Sequence, residues 1–166
     1  MKEGLHPLIA HILIILLLTA PILVIVGMGF SPGKRRLLLG SALAIMVLGT
    51  AATFVAFATG EAAMKAVDAT PALRAALELH RTLAETTREL FSLLTLAFAA
   101  LLFAPRLLKR ELEARINTTL LAIYLVFYAT GTLFLAHTAL DGGQLVRALE
   151  PKTAITFQFS GKECVR

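Results

Sequence analysis

The sequence has a single cysteine, Cys164, close to its end. That excludes a disulfide framework, paired CxxC zinc ligands and the CxxCH attachment of a c-type haem. Charged residues make up only 16% of the chain, too few to cover the surface of an ordinary soluble domain. There is no glycine-rich phosphate loop, no paired-carboxylate arrangement and no serine- or cysteine-centred constellation, so the common catalytic centres have no residues to be built from. The 16 Lys and Arg exceed the 11 Asp and Glu, giving a net charge of +5. These cations sit beside apolar runs instead of forming a basic face interleaved with aromatics, so nucleic acid is not the partner they indicate.

What the chain does have is apolar sequence, 57% of its residues. Long runs extend from Leu8 to Phe30, from Leu37 to Ala58 and from Ile116 to His137, each near the roughly 20 residues a helix needs to cross hydrocarbon. A third span, about 84–104, takes in Glu85, Arg88 and Glu89 in its outer turns. Those charges must snorkel or face the bundle interior. The expected fold is an all-α membrane protein, a four-transmembrane-helix bundle over residues 1–146 with an outer tail over 147–166. Strands are excluded from the spans because an open edge leaves backbone groups unpaired in lipid.

Lys34, Arg35 and Arg36 follow the first run whereas only Lys2 against Glu3 precedes it, a charge order opposite to that of a signal peptide. The 31–36 and 105–115 connections are basic, which places them in the cytoplasm. Both termini and the 60–89 connection then lie on the outer, periplasmic side of a bacterial inner membrane. Pro71 followed by Leu73, Leu77 and Leu83 at helical spacing predicts a helix that runs into span three. Asp141, Gly142 and Gly143 predict a helix stop after span four. In the tail, Ile155, Phe157 and Phe159 alternate with polar neighbours, the pattern either of a strand offered to a partner or of a loosely ordered terminus.

All four histidines, His6, His11, His80 and His137, fall on the outer side in this topology. An imidazole near hydrocarbon needs a partner, and such residues mark proton relays, ion paths or cofactor ligands. Five residues separate His6 from His11, which turns them roughly 140° apart on one helix, so they address different neighbours. The expectation is one or two b-type haems, held by His11 with His137 and by His6 with His80 as axial ligands. Arg81 and Arg88, with Arg74 on the same helical face, are candidates to pair with haem propionates, while Glu78, Glu85 and Glu89 offer simple helix ion pairs instead. On this reading the protein is a cytochrome subunit carrying electrons between membrane quinol and a periplasmic redox partner. The rival expectation is a non-catalytic structural or assembly subunit of a larger membrane complex, with the histidines in hydrogen bonds. Tyr124 and Tyr128, one turn apart on span four, are expected to be packed residues with one hydrogen bond each.

The opening His6-Pro7-Leu8-Ile9-Ala10-His11, Leu79-His80-Arg81 before span three, and His137 followed by Gly142-Gly143-Gln144-Leu145-Val146 carry a resemblance. Over the chain up to Val146 the sequence resembles the bacterial four-span membrane family catalogued as domain of unknown function twenty-two thirty-one, with its HPxxxH opening and GGxLV closing. It departs from that pattern at Ile12 and Leu13, where an aromatic and a proline are usual, and at Arg147, where a tyrosine is usual. The family has no established activity, so the resemblance implies topology and the choice of histidines and leaves the chemistry open.

Overall fold

The structure, a computed structural model, describes residues 5–65, 70–107, 109 and 113–149, with the backbone alone described at 5–7, 106, 114, 146, 148 and 149. The alternating segment at Ile155, Phe157 and Phe159 lies outside the described residues, as does Cys164. Every described element is a helix: α1 Leu5–Met28, α2 Pro32–Lys65, α3 Pro71–Leu107 and α4 Ala114–Leu149. All four are long and apolar enough to cross a bilayer, the pattern of a multi-pass membrane protein.

Local chemistry sets the ends. After α1, Gly29 N–H bonds the Val26 carbonyl at 3.1 Å and Phe30 N–H bonds that of Gly27 at 3.3 Å, a tight turn that delivers Pro32 to the first position of α2, where its missing N–H costs nothing. Thr70 caps α3, its Oγ1 accepting from Leu73 N–H at 3.4 Å, again with a proline next in line. Between α3 and α4, Lys109 takes a left-handed conformation, φ 49°, which turns the chain back.

The helices run down, up, down and up around a ring in which α1 neighbours α2 and α4, and α3 neighbours α2 and α4. We call the end where α1 starts and α4 finishes the upper end. The α1–α2 pair is the most intimate, because glycine lets the backbones approach. A Cβ at Gly49 would lie 2.8 Å from Leu17 Cδ2, and one at Gly27 would lie 3.3 Å from Leu38 Cβ. The core is a column of Leu13, Leu17 and Val24 from α1, Met46 from α2, Phe91 and Phe98 from α3, and Tyr124 and Tyr128 from α4. Its aromatic rings stack in sequence, Phe98 on Tyr124 at 5.0 Å and Phe91 edge-on to Tyr128 at 5.5 Å. Ile15, Ile22, Leu93, Leu96, Val126 and Leu133 point outward and are exposed, as side chains facing lipid should be.

Three helices are longer than the expected spans. At 34 to 37 residues, α2, α3 and α4 reach about 51 to 56 Å, against roughly 30 Å of hydrocarbon. Their upper ends continue past α1 as a three-helix layer with its own small core, Leu77 and Leu145 packed by Met64, Leu73 and Ala76. The helix stop expected at Asp141, Gly142 and Gly143 is not there, since α4 runs on to Leu149. The reason is tertiary: Leu145 anchors the extension to Leu77, and Gly142 is required by a ring on α3 and not by a turn.

Candidate functional site

Polar side chains gather where the three-helix layer meets the membrane bundle. His80 on α3 presents Nδ1 to Asp141 Oδ2 on α4 at 3.1 Å, with both side chains mostly covered, 19% and 25% exposed. Its ring lies against Gly142, where a Cβ would stand 2.9 Å from His80 Cε1. Any side chain there would require the imidazole to shift. One residue further up the chain, Arg81 donates to Glu61 Oε1 on α2 at 3.2 Å and approaches Glu78 at 3.8 Å. Its Nε is buried without an acceptor.

Two turns deeper, Arg88 bonds Glu85 at 3.4 Å and lies over the rings of Phe57 and Phe54, 4.5 and 5.4 Å from their centroids. The rings take the place of water around a guanidinium that has entered an apolar layer. At the same depth Thr87 and Thr138 share a hydrogen bond of 2.9 Å between α3 and α4. Still deeper, Thr50 and Thr95 join α2 to α3 at 2.8 Å. Each step of this ladder ties one helix to a neighbour.

The candidate ligands separate into two groups. Leu17, Gly49, Phe91 and Tyr128 meet at one level. Counting the helical rise from there, His6 and His80 both lie about 16 Å up and His11 about 9 Å, while His137 adjoins Thr138, whose hydroxyl meets Thr87 two turns below His80. His11 and His137 are exposed, and each stands two residues from a buried leucine, Leu13 and Leu135. Two residues turn a helix by about 200°, so both rings face away from the core. A haem clasped between them inside the bundle needs both helices turned by nearly half a revolution. His6 begins α1 at the height of His80, and its side chain lies outside what is described. Among the described residues no group of three or more His, Cys, Asp or Glu is placed to hold a metal ion.

Arg81 and Arg88 take the ion pairs with Glu78 and Glu85 that three-residue spacing offers, to which the fold adds Glu61, Phe54 and Phe57 from α2. Sequence reasoning missed Asp141 and Gly142, read as a turn. The available signal was an acid on the same helix as His137, one turn beyond it, beside a glycine pair. Tyr124 and Tyr128 are packed as expected, the Tyr128 hydroxyl donating to the Leu17 carbonyl at 2.7 Å and that of Tyr124 to Met46 Sδ at 3.5 Å. No family model matches the chain, and no curated protein or solved structure matches it either.

Proposed function

We propose that the protein is a non-catalytic structural or assembly subunit of a larger membrane complex, a four-span bundle with its upper end on the outer, periplasmic side of a bacterial inner membrane. The cations Lys34, Arg35, Arg36, Lys109 and Arg115 at the lower connections support that orientation. The carrying observation is the use made of His80: its ring is spent on Asp141 and seated on Gly142, so the group best placed for chemistry works as a clasp between α3 and α4. Arg81 with Glu61, Arg88 with Phe54 and Phe57, and Thr87 with Thr138 act in the same way. The three-helix layer they stabilise is the part that stands out of the bilayer and offers a partner a rigid surface.

A second reading, a b-type cytochrome subunit passing electrons between quinol and a periplasmic partner, is favoured by three details of the same site. A carboxylate on Nδ1 is the usual support for a ligating imidazole and leaves Nε2 for the iron, and His6 is level with His80. The buried Nε of Arg81 is a donor in search of an acceptor, such as a propionate. A haem bound there would supply one-electron transfer.

One preparation tests both readings. The protein is extracted from its native membrane in mild detergent, sized by native electrophoresis, and scanned oxidised and dithionite-reduced. The subunit reading expects a colourless protein migrating within a larger assembly of fixed composition. It fails if the protein migrates alone, or if sharp reduced bands of a low-spin b haem appear. Loss of those bands in His80→Ala, with retention in His11→Ala and His137→Ala, would assign the haem to the second reading's site.

A further inference from the structure

One face of α2 is built differently from the rest of the bundle. Gly33, Arg36, Leu37, Gly40, Ser41 and Ala44, at three- and four-residue spacings, line a single shallow groove of about 530 Å³. Nothing inside the bundle requires its two glycines, because a Cβ at Gly33 or Gly40 would meet no atom within 4 Å. Gly27 and Gly49 on the same helical hairpin are different, each pressed against a leucine. The groove is therefore no by-product of α1–α2 packing. Its floor is apolar and one end is charged. Lys34, Arg35 and Arg36 follow one another in the first turns of α2, with no acid between Ser31 and Ala44. Arg36 lines the groove, Lys34 lies over the Phe30 ring at 5.7 Å, and Arg35 reaches Thr118 on α4 at 3.4 Å with its Nε buried and unbonded.

We propose that this groove binds one anionic phospholipid, its phosphate on the cations around Arg36 and one acyl chain along Leu37, Gly40 and Ala44. The eight steps from Arg36 to Ala44 climb about 12 Å, close to the roughly 15 Å depth of hydrocarbon in one leaflet. A guanidinium at the rim suits a phosphate, which it can grip through two parallel hydrogen bonds. Charge selects lipid over a second copy of the chain as the occupant. Two copies share one orientation in the membrane, so a two-fold contact through this face would bring their triple-cation runs together at the same height.

The chain contains no tryptophan, so Leu37→Trp places a sole tryptophan in the groove, excited selectively over Tyr124 and Tyr128. Leu37 is 72% exposed, and the substitution disturbs no internal packing. The full-length variant is reconstituted into phosphatidylcholine vesicles containing equal small fractions of brominated phosphatidylglycerol or of brominated phosphatidylcholine. The expected result is a preference of fivefold or more for the anionic lipid in the relative association constant, since each basic residue near the surface contributes about fivefold. Lys34→Gln with Arg36→Gln should remove the preference, and Gly40→Leu, which fills the floor without an internal clash, should weaken quenching by both lipids. Equal quenching by the two lipids, or a preference that survives loss of both cations, overturns the proposal. So does weak quenching by both lipids together with disulfide dimers of Gly40→Cys made in a Cys164→Ser background, which would mean that a second copy closes the groove.

Discussion

Removing the Tyr128 hydroxyl should cost far more than a Tyr→Phe change usually does, because of a proline on a different helix. Pro21 lies inside α1, has no N–H, and so cannot bond the carbonyl four residues back, which is that of Leu17. The Tyr128 hydroxyl bonds that carbonyl at 2.7 Å. Leu17 is fully buried and Tyr128 is 1% exposed, so no water can replace the phenol. Tyr128→Phe then leaves a buried acceptor unsatisfied, a loss of about 1 to 3 kcal/mol, with the larger figures expected where the surroundings are apolar. Pro21→Ala restores the N–H, and in that background Tyr128→Phe should cost about 0.5 to 1 kcal/mol, an ordinary hydrogen bond with nothing left orphaned. The coupling between two positions on different helices is then about 1 kcal/mol or more. A double-mutant cycle on reversible unfolding in mixed detergent micelles measures it. Equal costs of Tyr128→Phe in both backgrounds would refute the argument.

Adjacent glycines on α4 should respond with opposite signs. Gly143→Ala meets nothing within 4 Å and should stabilise by up to about 1 kcal/mol through helix propensity, whereas Gly142→Ala displaces the His80 ring and should destabilise by up to about 2 kcal/mol once the same gain is subtracted from an overpacking cost of about 1 to 3 kcal/mol; stabilisation by both in detergent unfolding would remove the case for a seated imidazole. Arg88→Ala should cost about 1 to 2 kcal/mol through its contacts with Phe54 and Phe57, and because Glu85 is half-exposed and adds little, Glu85→Gln should change stability by less than about 0.5 kcal/mol. If instead Glu85→Gln matches Arg88→Ala, the ion pair and not the aromatic faces holds the guanidinium. Thr50→Val and Thr95→Val should each cost only a little and be coupled by about 0.6 kcal/mol, the usual value for a hydrogen bond between membrane helices; strictly additive effects would mean that the 2.8 Å contact contributes nothing.

The spans are legible in the sequence because lipid imposes a length and forbids unpaired backbone, so apolar runs map directly onto helices. Pro71 at the start of α3 could be read for the same kind of local reason. The upper extension of α4 could not, since it depends on a contact between distant residues: Leu77 with Leu145 holds α4 helical through two glycines that locally favour a stop. The histidines show the same division. Their placement in the upper half of the bundle followed from counting along helices, but their facing did not, because every residue around His11 is apolar and no periodicity marks which side meets the core. Leu13, buried, and Ile15, exposed, are alike to any hydropathy measure. Rotation of a helix in an all-apolar span is decided by the shape of its neighbours, here by Leu17 entering the space left at Gly49.

The same distribution indicates where this bundle is least secured. From the upper layer downwards, α2, α3 and α4 are joined by His80 with Asp141, Arg81 with Glu61, Thr87 with Thr138 and Thr50 with Thr95. On α1, Leu17 fills the space at Gly49 of α2 with its side chain and offers Tyr128 of α4 its backbone oxygen. The α1–α4 seam is also the thinnest of the four helix interfaces. Between apolar helices in lipid there is no hydrophobic force to close such a seam, so packing and hydrogen bonds decide. The acceptor that Pro21 leaves free thus gives α4 a fixed point on α1, and a helix defect on one side of the seam becomes the bond that holds it shut.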